Sequence, residues 1–189
     1  MSSMRPYGLR GDFFKKPSKY NLPEVSTNII EGGITIIGLD EKLHRVKKYA
    51  DINYPLPFNT GLDKYKIFIP RNWGTGKLCD TTFKTYLAKP FDSCTETFIQ
   101  IYPFENKADR DNCNKYLHTK FFRMCVSIRK QDQGASKDVY SFVPLQNFKD
   151  DSDINWSESI AEIDKQLYAK YGLTDGEITF IESMIKPME

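Results

Sequence analysis

The sequence predicts an α+β fold, a β-sheet packed with a long helix and followed by a helical C-terminal segment. Three observations carry that expectation. Residues 65–70 and 96–102 are short β-rich runs, each bounded by a proline, Pro70 and Pro103. Residues 107–129 place Cys113, Leu117, Phe121, Met124, Cys125 and Ile128 at spacings of three and four, one apolar stripe on a helix. Beyond residue 155, two more helical patterns carry their own start signals. With 189 residues, 40% hydrophobic and 14% aromatic, the chain can build one sizeable core or two small lobes.

The first 32 residues read as an irregular joining arm, because Pro6, Gly8, Gly11, Pro17 and Pro23 interrupt any regular element. Phe13, Phe14 and Tyr20 are interleaved there with Arg5, Arg10, Lys15, Lys16 and Lys19, which allows two readings. The rings complete a core, or the mixture tracks a phosphate backbone while a ring anchors it. A hairpin follows at 33–49. Gly32-Gly33 precedes the β-rich run 34–37, residues 38–41 turn, and a polar strand from Lys42 presents Lys42, Arg45, Lys47 and Lys48. Residues 54–59, with Pro55 and Pro57, resist regular structure, and 59–63 suit a short helical turn.

The run 65–70 alternates poorly and reads as a buried strand. After it, Arg71-Asn72-Trp73-Gly74-Thr75-Gly76-Lys77 reads as an exposed loop rich in donors for phosphates or base edges. It lacks the spacing and hydroxyl of a P-loop. In the strand 96–102, the face of Thr97, Ile99 and Ile101 is the more apolar and is expected to meet the core. One helix is expected over 107–129, a turn at 131–137 and a strand at 139–143 stopped by Pro144. Residues 155–157 suit the cap of a helix over 158–171 ending at Gly172, and Thr174 with Glu177 forms a capping-box pattern before the last helix. The expected organisation is thus an arm at 1–32, an α/β domain at 33–148 and a helical segment at 149–189.

The formal net charge is only +2, but it is unevenly spread. Residues 1–77 carry 13 basic and 7 acidic side chains, 78–130 carry 9 and 6, and 131–189 carry 5 and 12. A partner sampling the first two-thirds would meet a basic protein. No run of 18 apolar residues exists, so no span or membrane partner is expected. The N-terminal residues lack the apolar stretch of a secretion signal. Cys79, Cys94, Cys113 and Cys125 have spacings that fit neither a zinc knuckle nor a dense disulfide scaffold, so they read as reduced, in a cytoplasmic protein. Cys113 and Cys125, on the helix stripe, are the two expected in the core.

No catalytic centre is legible. His44 and His118 lack a nucleophile or carboxylate partner in sequence, and Asp150, Asp151 and Asp153 lack the pattern of a calcium loop. No metal site and no cofactor are expected. A nuclease would need acidic groups and a lysine at one phosphate, and the candidates, Asp63 with Lys66 and Asp92 with Glu96, match that pattern poorly. A methyltransferase needs a glycine-rich cofactor loop and an Asn/Asp-Pro-Pro-Tyr/Phe tetrapeptide, and the chain has neither.

Several stretches together carry a resemblance: 64–71 (KYKIFIPR), 94–97 (CTET), 119–123 (TKFFR), 139–144 (VYSFVP), 171–174 (YGLT) and 180–188 (FIESMIKPM). In this order they resemble the C-terminal target-recognition region of bacterial adenine-specific restriction–modification methylases, the fused type II restriction enzyme/methylases. Residues 3–9 (SMRPYGL) look like the segment that joins that region to the methyltransferase core. The resemblance implies sequence-specific recognition of double-stranded DNA. It implies a methyltransferase/endonuclease core as partner, in cis or as another subunit, because the catalytic motifs of relatives lie upstream and are absent here.

The expected function is therefore DNA recognition without catalysis by the chain itself. Arg5, Arg10, Lys15, Lys16, Lys47 and Lys48 are the expected phosphate contacts, and Arg71, Asn72 and Lys77 the loop that enters a groove. The alternatives are a metal-dependent endonuclease subunit whose carboxylates converge only in space, or a protein-interaction domain within a restriction–modification complex.

Overall fold

The computed structural model describes residues 5–75, 77, 79–130, 134–135 and 137–188. The fold is mixed α/β, with strands in the first part and helices closing the chain. The chain forms two compact units. One comprises the described residues of Met1–Arg71 and Thr85–Lys107, the other those of Asn72–Lys84 and Ala108–Glu189.

The first unit holds six strands in two three-stranded sheets. One has the order β2-β1-β5, from β1 (Ile34–Leu39), β2 (Arg45–Ala50) and β5 (Asp92–Cys94). The other has the order β4-β3-β6, from β3 (Tyr65–Pro70), β4 (Tyr86–Ala88) and β6 (Phe98–Phe104). The hairpin expected at 33–49 is present, with Ile36 opposite Lys48 and Ile37 opposite Lys47. Its turn lies slightly later than expected. The Asp40 carboxylate accepts the N–H groups of Lys42 and His44 at 2.9 and 2.8 Å, and Leu43 takes a left-handed φ of 64°. Strand β5 joins β1 in parallel, Ile37 opposite Cys94. Residues 59–63, expected as a helical turn, form turns and bends outside any helix.

Tyr7, Leu9, Phe13 and Phe14 of the lead-in are buried in one cluster with Ile34, Ile36 and Ile37 of β1, Phe68 of β3, Cys94 of β5 and Phe98 of β6. The lead-in is irregular but integral to this core. Each such side chain contributes about 1.5–3 kcal/mol of burial. Gly38 makes room for it: a Cβ there would lie 2.8 Å from both the Phe14 ring and the Thr95 methyl. The lead-in also pairs with the hairpin, Ser26 and Tyr49 exchanging N–H···O bonds of 2.8 Å.

Strand β6 corrects one expectation. Ile99 and Ile101 are buried opposite Ile69 and Ile67, but the other face, with Phe98 and Gln100 opposite Pro70 and Phe68, is buried too. Both sides of this strand pair are dry, and Phe98 belongs to the core cluster.

The second unit is helical. The single helix expected over 107–129 is two helices, α1 (Lys107–His118) and α2 (Lys120–Arg129). Thr119 between them has extended backbone (φ −62°, ψ 149°) and caps α2, its hydroxyl accepting the Phe122 N–H at 3.1 Å and donating to the Tyr116 carbonyl at 2.7 Å. The buried carboxylate of Asp164 accepts the next two amides, Lys120 and Phe121, both at 2.9 Å. Burial pushes its pKa up to about 6, against the opposing pull of those two N–H groups. Of the expected stripe, Cys113, Leu117, Phe121 and Met124 are buried, whereas Ile128 is 67% exposed.

The strand expected at 139–143 is instead a 3-10 turn over Lys137–Phe142. Val139 and Tyr140 still point inward, and the Ser141 hydroxyl donates to the Asp138 carbonyl at 2.6 Å. The two terminal helices are present, α3 (Ile160–Lys170), capped by Ser159, and α4 (Asp175–Met184), opened by the Thr174/Glu177 capping box. Gly172 after α3 takes φ +63°, the left-handed stop that glycine tolerates best.

All four cysteines are free thiols. The buried ones are Cys94 and Cys113, while Cys125, expected in the core, is half-buried along with Cys79. Among the described residues no helix is long and apolar enough to cross a membrane.

Candidate nucleic-acid interface

The lead-in and the hairpin of the first unit present most of the expected basic residues. Lys15 and Lys16 directly follow the buried Phe14 and are exposed. Lys48 extends over the Phe14 ring, its Nζ 4.9 Å from the centroid. Phe14 and Lys48 share a groove of about 400 Å³ with Asp40, Glu41, Lys42 and His44. Lys47, one residue along the strand, belongs to the opposite face of β2 and is exposed. Lys15, Lys16, Lys42, Arg45, Lys47 and Lys48 make no ion pair among the described residues.

Arg5 and Arg10 stand differently, because both meet Glu96. The Arg5 Nε lies 3.1 Å from Glu96 Oε2 and the Arg10 Nη1 lies 4.0 Å from the same oxygen. Lys19, another lead-in cation, is paired with Asp12 at 3.2 Å. Arg71 directly follows β3 with its N–H on the Thr97 carbonyl at 2.9 Å, its side chain half-buried.

Asn72 and Lys77 belong to the second unit. The described part of their loop is anchored at Trp73 and Thr75. Trp73 is buried with its ring 4.8 Å from that of Phe83 and the Lys130 Nζ 4.4 Å from its centroid. The Asp80 carboxylate accepts the N–H and hydroxyl of Thr75 at 2.7 and 2.5 Å, which holds its pKa below the usual value. Asn72 forms an isolated bridge with Gly134, and Lys77 is exposed. Gly76, also in the expected loop, lies outside the described residues.

Of the nine expected contacts, Lys15, Lys16 and Lys48 are therefore gathered around Phe14, and Lys47 lies on the same strand facing the other way. Arg5 and Arg10 converge on Glu96. Arg71 stands apart in the first unit. Lys42 and Arg45, which complete the hairpin's basic surface, were legible only as part of a charge run. The role of Glu96 had no sequence signal, since 85 residues separate it from Gly11, whose N–H it accepts at 3.0 Å.

Of the groups considered for a nuclease, Lys66 is committed to the backbone and Glu96 to the lead-in. Lys66 is fully buried, and its Nζ donates to the carbonyls of Leu62, Lys64 and Gly61 at 2.8, 2.9 and 3.2 Å. Burial lowers its pKa to about 8, although Asp92, Cys94 and Asp63 oppose that shift. Cys94 beside it is sealed and its thiol pushed up by desolvation. Among the described residues no three His, Cys, Asp or Glu side chains gather where they could hold a metal ion. His44 sits exposed with its Nδ1 3.6 Å from Asp40, and His118 is half-buried with its pKa lowered by desolvation.

A larger groove of about 730 Å³ crosses the second unit beside Asn112, Lys115, Asp153 and Trp156. Three of its polar groups are turned to the protein itself. Lys115 donates to the Trp156 and Glu158 carbonyls at 2.6 and 3.1 Å, Asn112 to Phe148 at 2.9 Å, and Asp153 pairs with Lys170 at 2.7 Å. Compared with known proteins, the chain matches no family model, no curated protein and no solved structure.

Proposed function

We propose that this chain recognises double-stranded DNA without catalysing a reaction itself, as the target-recognition part of a cytoplasmic restriction–modification enzyme whose catalytic core is supplied in cis or by a partner subunit. The observation that carries the reading is the basic surface of the first unit. There the lead-in and the hairpin, tied together by Phe14 under Lys48 and against Gly38, hold six cations that make no ion pair among the described residues. Such cations bind phosphates by releasing counterions, and a rigid sheet underneath fixes their spacing. The ordered resemblance from residue 64 to residue 188 supplies the biological setting.

The test is selection from a random duplex library, followed by a salt titration of the selected duplex. Contact with about five phosphates gives an affinity that falls roughly 500-fold between about 50 and 200 mM salt. The triple variant Lys15→Ala, Lys16→Ala, Lys48→Ala is expected to lose most of that affinity and to flatten the slope. An absence of duplex binding by the wild-type chain at low salt would overturn the reading.

A further inference from the structure

Arg5 and Arg10, the first two cations of the lead-in, are not simply spare charge. They converge on one carboxylate with a third donor beside them. The Arg5 Nε lies 3.1 Å from Glu96 Oε2, the Arg10 Nη1 4.0 Å from the same atom, and the Gly11 N–H donates to Oε1 at 3.0 Å. The Glu96 N–H in turn donates to the Leu9 carbonyl at 2.8 Å, so main-chain bonding pins the carboxylate against this stretch of lead-in.

Two guanidinium groups and an amide N–H around one oxyanion are the donors that proteins use to hold phosphate or carboxylate. The Glu96 side chain is only 22% exposed, whereas those of Arg5 and Arg10 are 42% and 50% exposed. The internal anion thus sits low in the cluster while the donors stay open to solvent. Each guanidinium has five N–H donors, and Glu96 engages a small part of them.

We propose that Arg5, Arg10 and the Gly11 amide form an oxyanion site that Glu96 fills from within, and that a phosphate of bound nucleic acid competes with Glu96 for it. The identity of the competing anion rests on the DNA-recognition reading. The donor cluster does not. A half-exposed pair of this kind is weak enough for a polyanion to displace. Glu96 then acts as a brake, holding back two phosphate contacts until a duplex is close enough to exchange for it.

Glu96→Gln keeps the size of the side chain and an acceptor for the Gly11 N–H while removing the charge, and circular dichroism confirms that the variant is folded. Glu96→Asp, which keeps the charge but shortens its reach, gives an intermediate response and replaces the first variant should that one unfold. In the first arm, inorganic phosphate is titrated while the Gly11 amide signal is followed by NMR. The signal is expected to shift saturably in the Glu96→Gln protein and to need at least tenfold more phosphate in the wild type. No response in the variant, or an equal one in both, overturns the oxyanion site.

In the second arm, the variant binds duplex about three- to tenfold tighter than the wild type, with a log–log salt slope steeper by about 1–2. Adding Arg5→Ala and Arg10→Ala removes that gain. Unchanged or weaker duplex binding by Glu96→Gln overturns the competition and leaves the DNA-recognition reading standing. If phosphate binds the variant but duplex binds neither protein, the reading and the competition fall together and the oxyanion site remains.

Discussion

Lys66 is the second residue of β3, with no exposed surface, and three backbone carbonyls of the preceding turn receive its ammonium group. Those carbonyls replace water that burial removed, yet the low-dielectric surroundings still favour the neutral amine and set the pKa near 8 rather than 10.5. Between those two values the unfolded chain binds more protons than the folded one. Stability contributed by this residue therefore rises as pH climbs through that window. Urea denaturation at a series of pH values should show the rise in the wild type, by about 1–3 kcal/mol, and a flatter profile in Lys66→Met. The run 65–70 reads as a buried strand from sequence alone, but nothing along the chain signals that turn carbonyls receive the lysine within it. The same limit applies to Phe13 and Phe14. Their rings were visible as sticky residues in an irregular segment, and only the fold decides that they face the core.

At the level of elements, the break at Thr119 is the instructive case. The apolar spacing continues unchanged from Leu117 to Phe121, so a periodicity argument passes straight through it. What divides the helix is a local competition. Thr119 leaves helical backbone, its hydroxyl caps the next turn, and Asp164, 44 residues beyond Lys120, receives the amides left over. Thr119→Ala should lower stability by about 1–2 kcal/mol, seen as a lower urea midpoint with an unchanged slope. Where the signal is local, as in the Thr174/Glu177 box or the glycine after α3, the boundary was legible, although the cap of α3 is Ser159 rather than a residue of 155–157. The segment 139–143 failed for the opposite reason. Five residues with two valines suit a strand or a buried turn equally well, and its neighbours choose. The hairpin's basic strand was readable from its charge run, whereas the carboxylate that meets Arg5 and Arg10 was not, since its distance along the chain conceals it.

For the whole molecule, grouping charge by fold changes what the sequence suggests. The basic first two-thirds and acidic last third do not map onto the two units. The first unit has 14 basic and 10 acidic side chains, a net of +4, and the second has 13 and 15, a net of −2. The contrast is milder than the linear order implies, and what marks the first unit is that Lys42, Arg45, Lys47 and Lys48 all fall on one hairpin. The chain leaves the first unit after Arg71, returns at Thr85 and leaves again after Lys107, so stretches near in sequence answer to different cores.

That division gives the two sealed thiols a use. Cys94 lies in the core of the first unit and Cys113 is buried in the second, and desolvation raises both well above the ordinary thiol value. Neither can react until its own surroundings open. Under a thiol reagent in native buffer, Cys79 should label first, and Cys125 more slowly because its pKa is pushed up to about 11. Cys94 and Cys113 should stay unmodified until denaturant is added, and peptide mass spectrometry would date each event. Rapid labelling of either one in native buffer would contradict its burial. The protein thus carries two built-in clocks, one per core, that time local opening without an added probe.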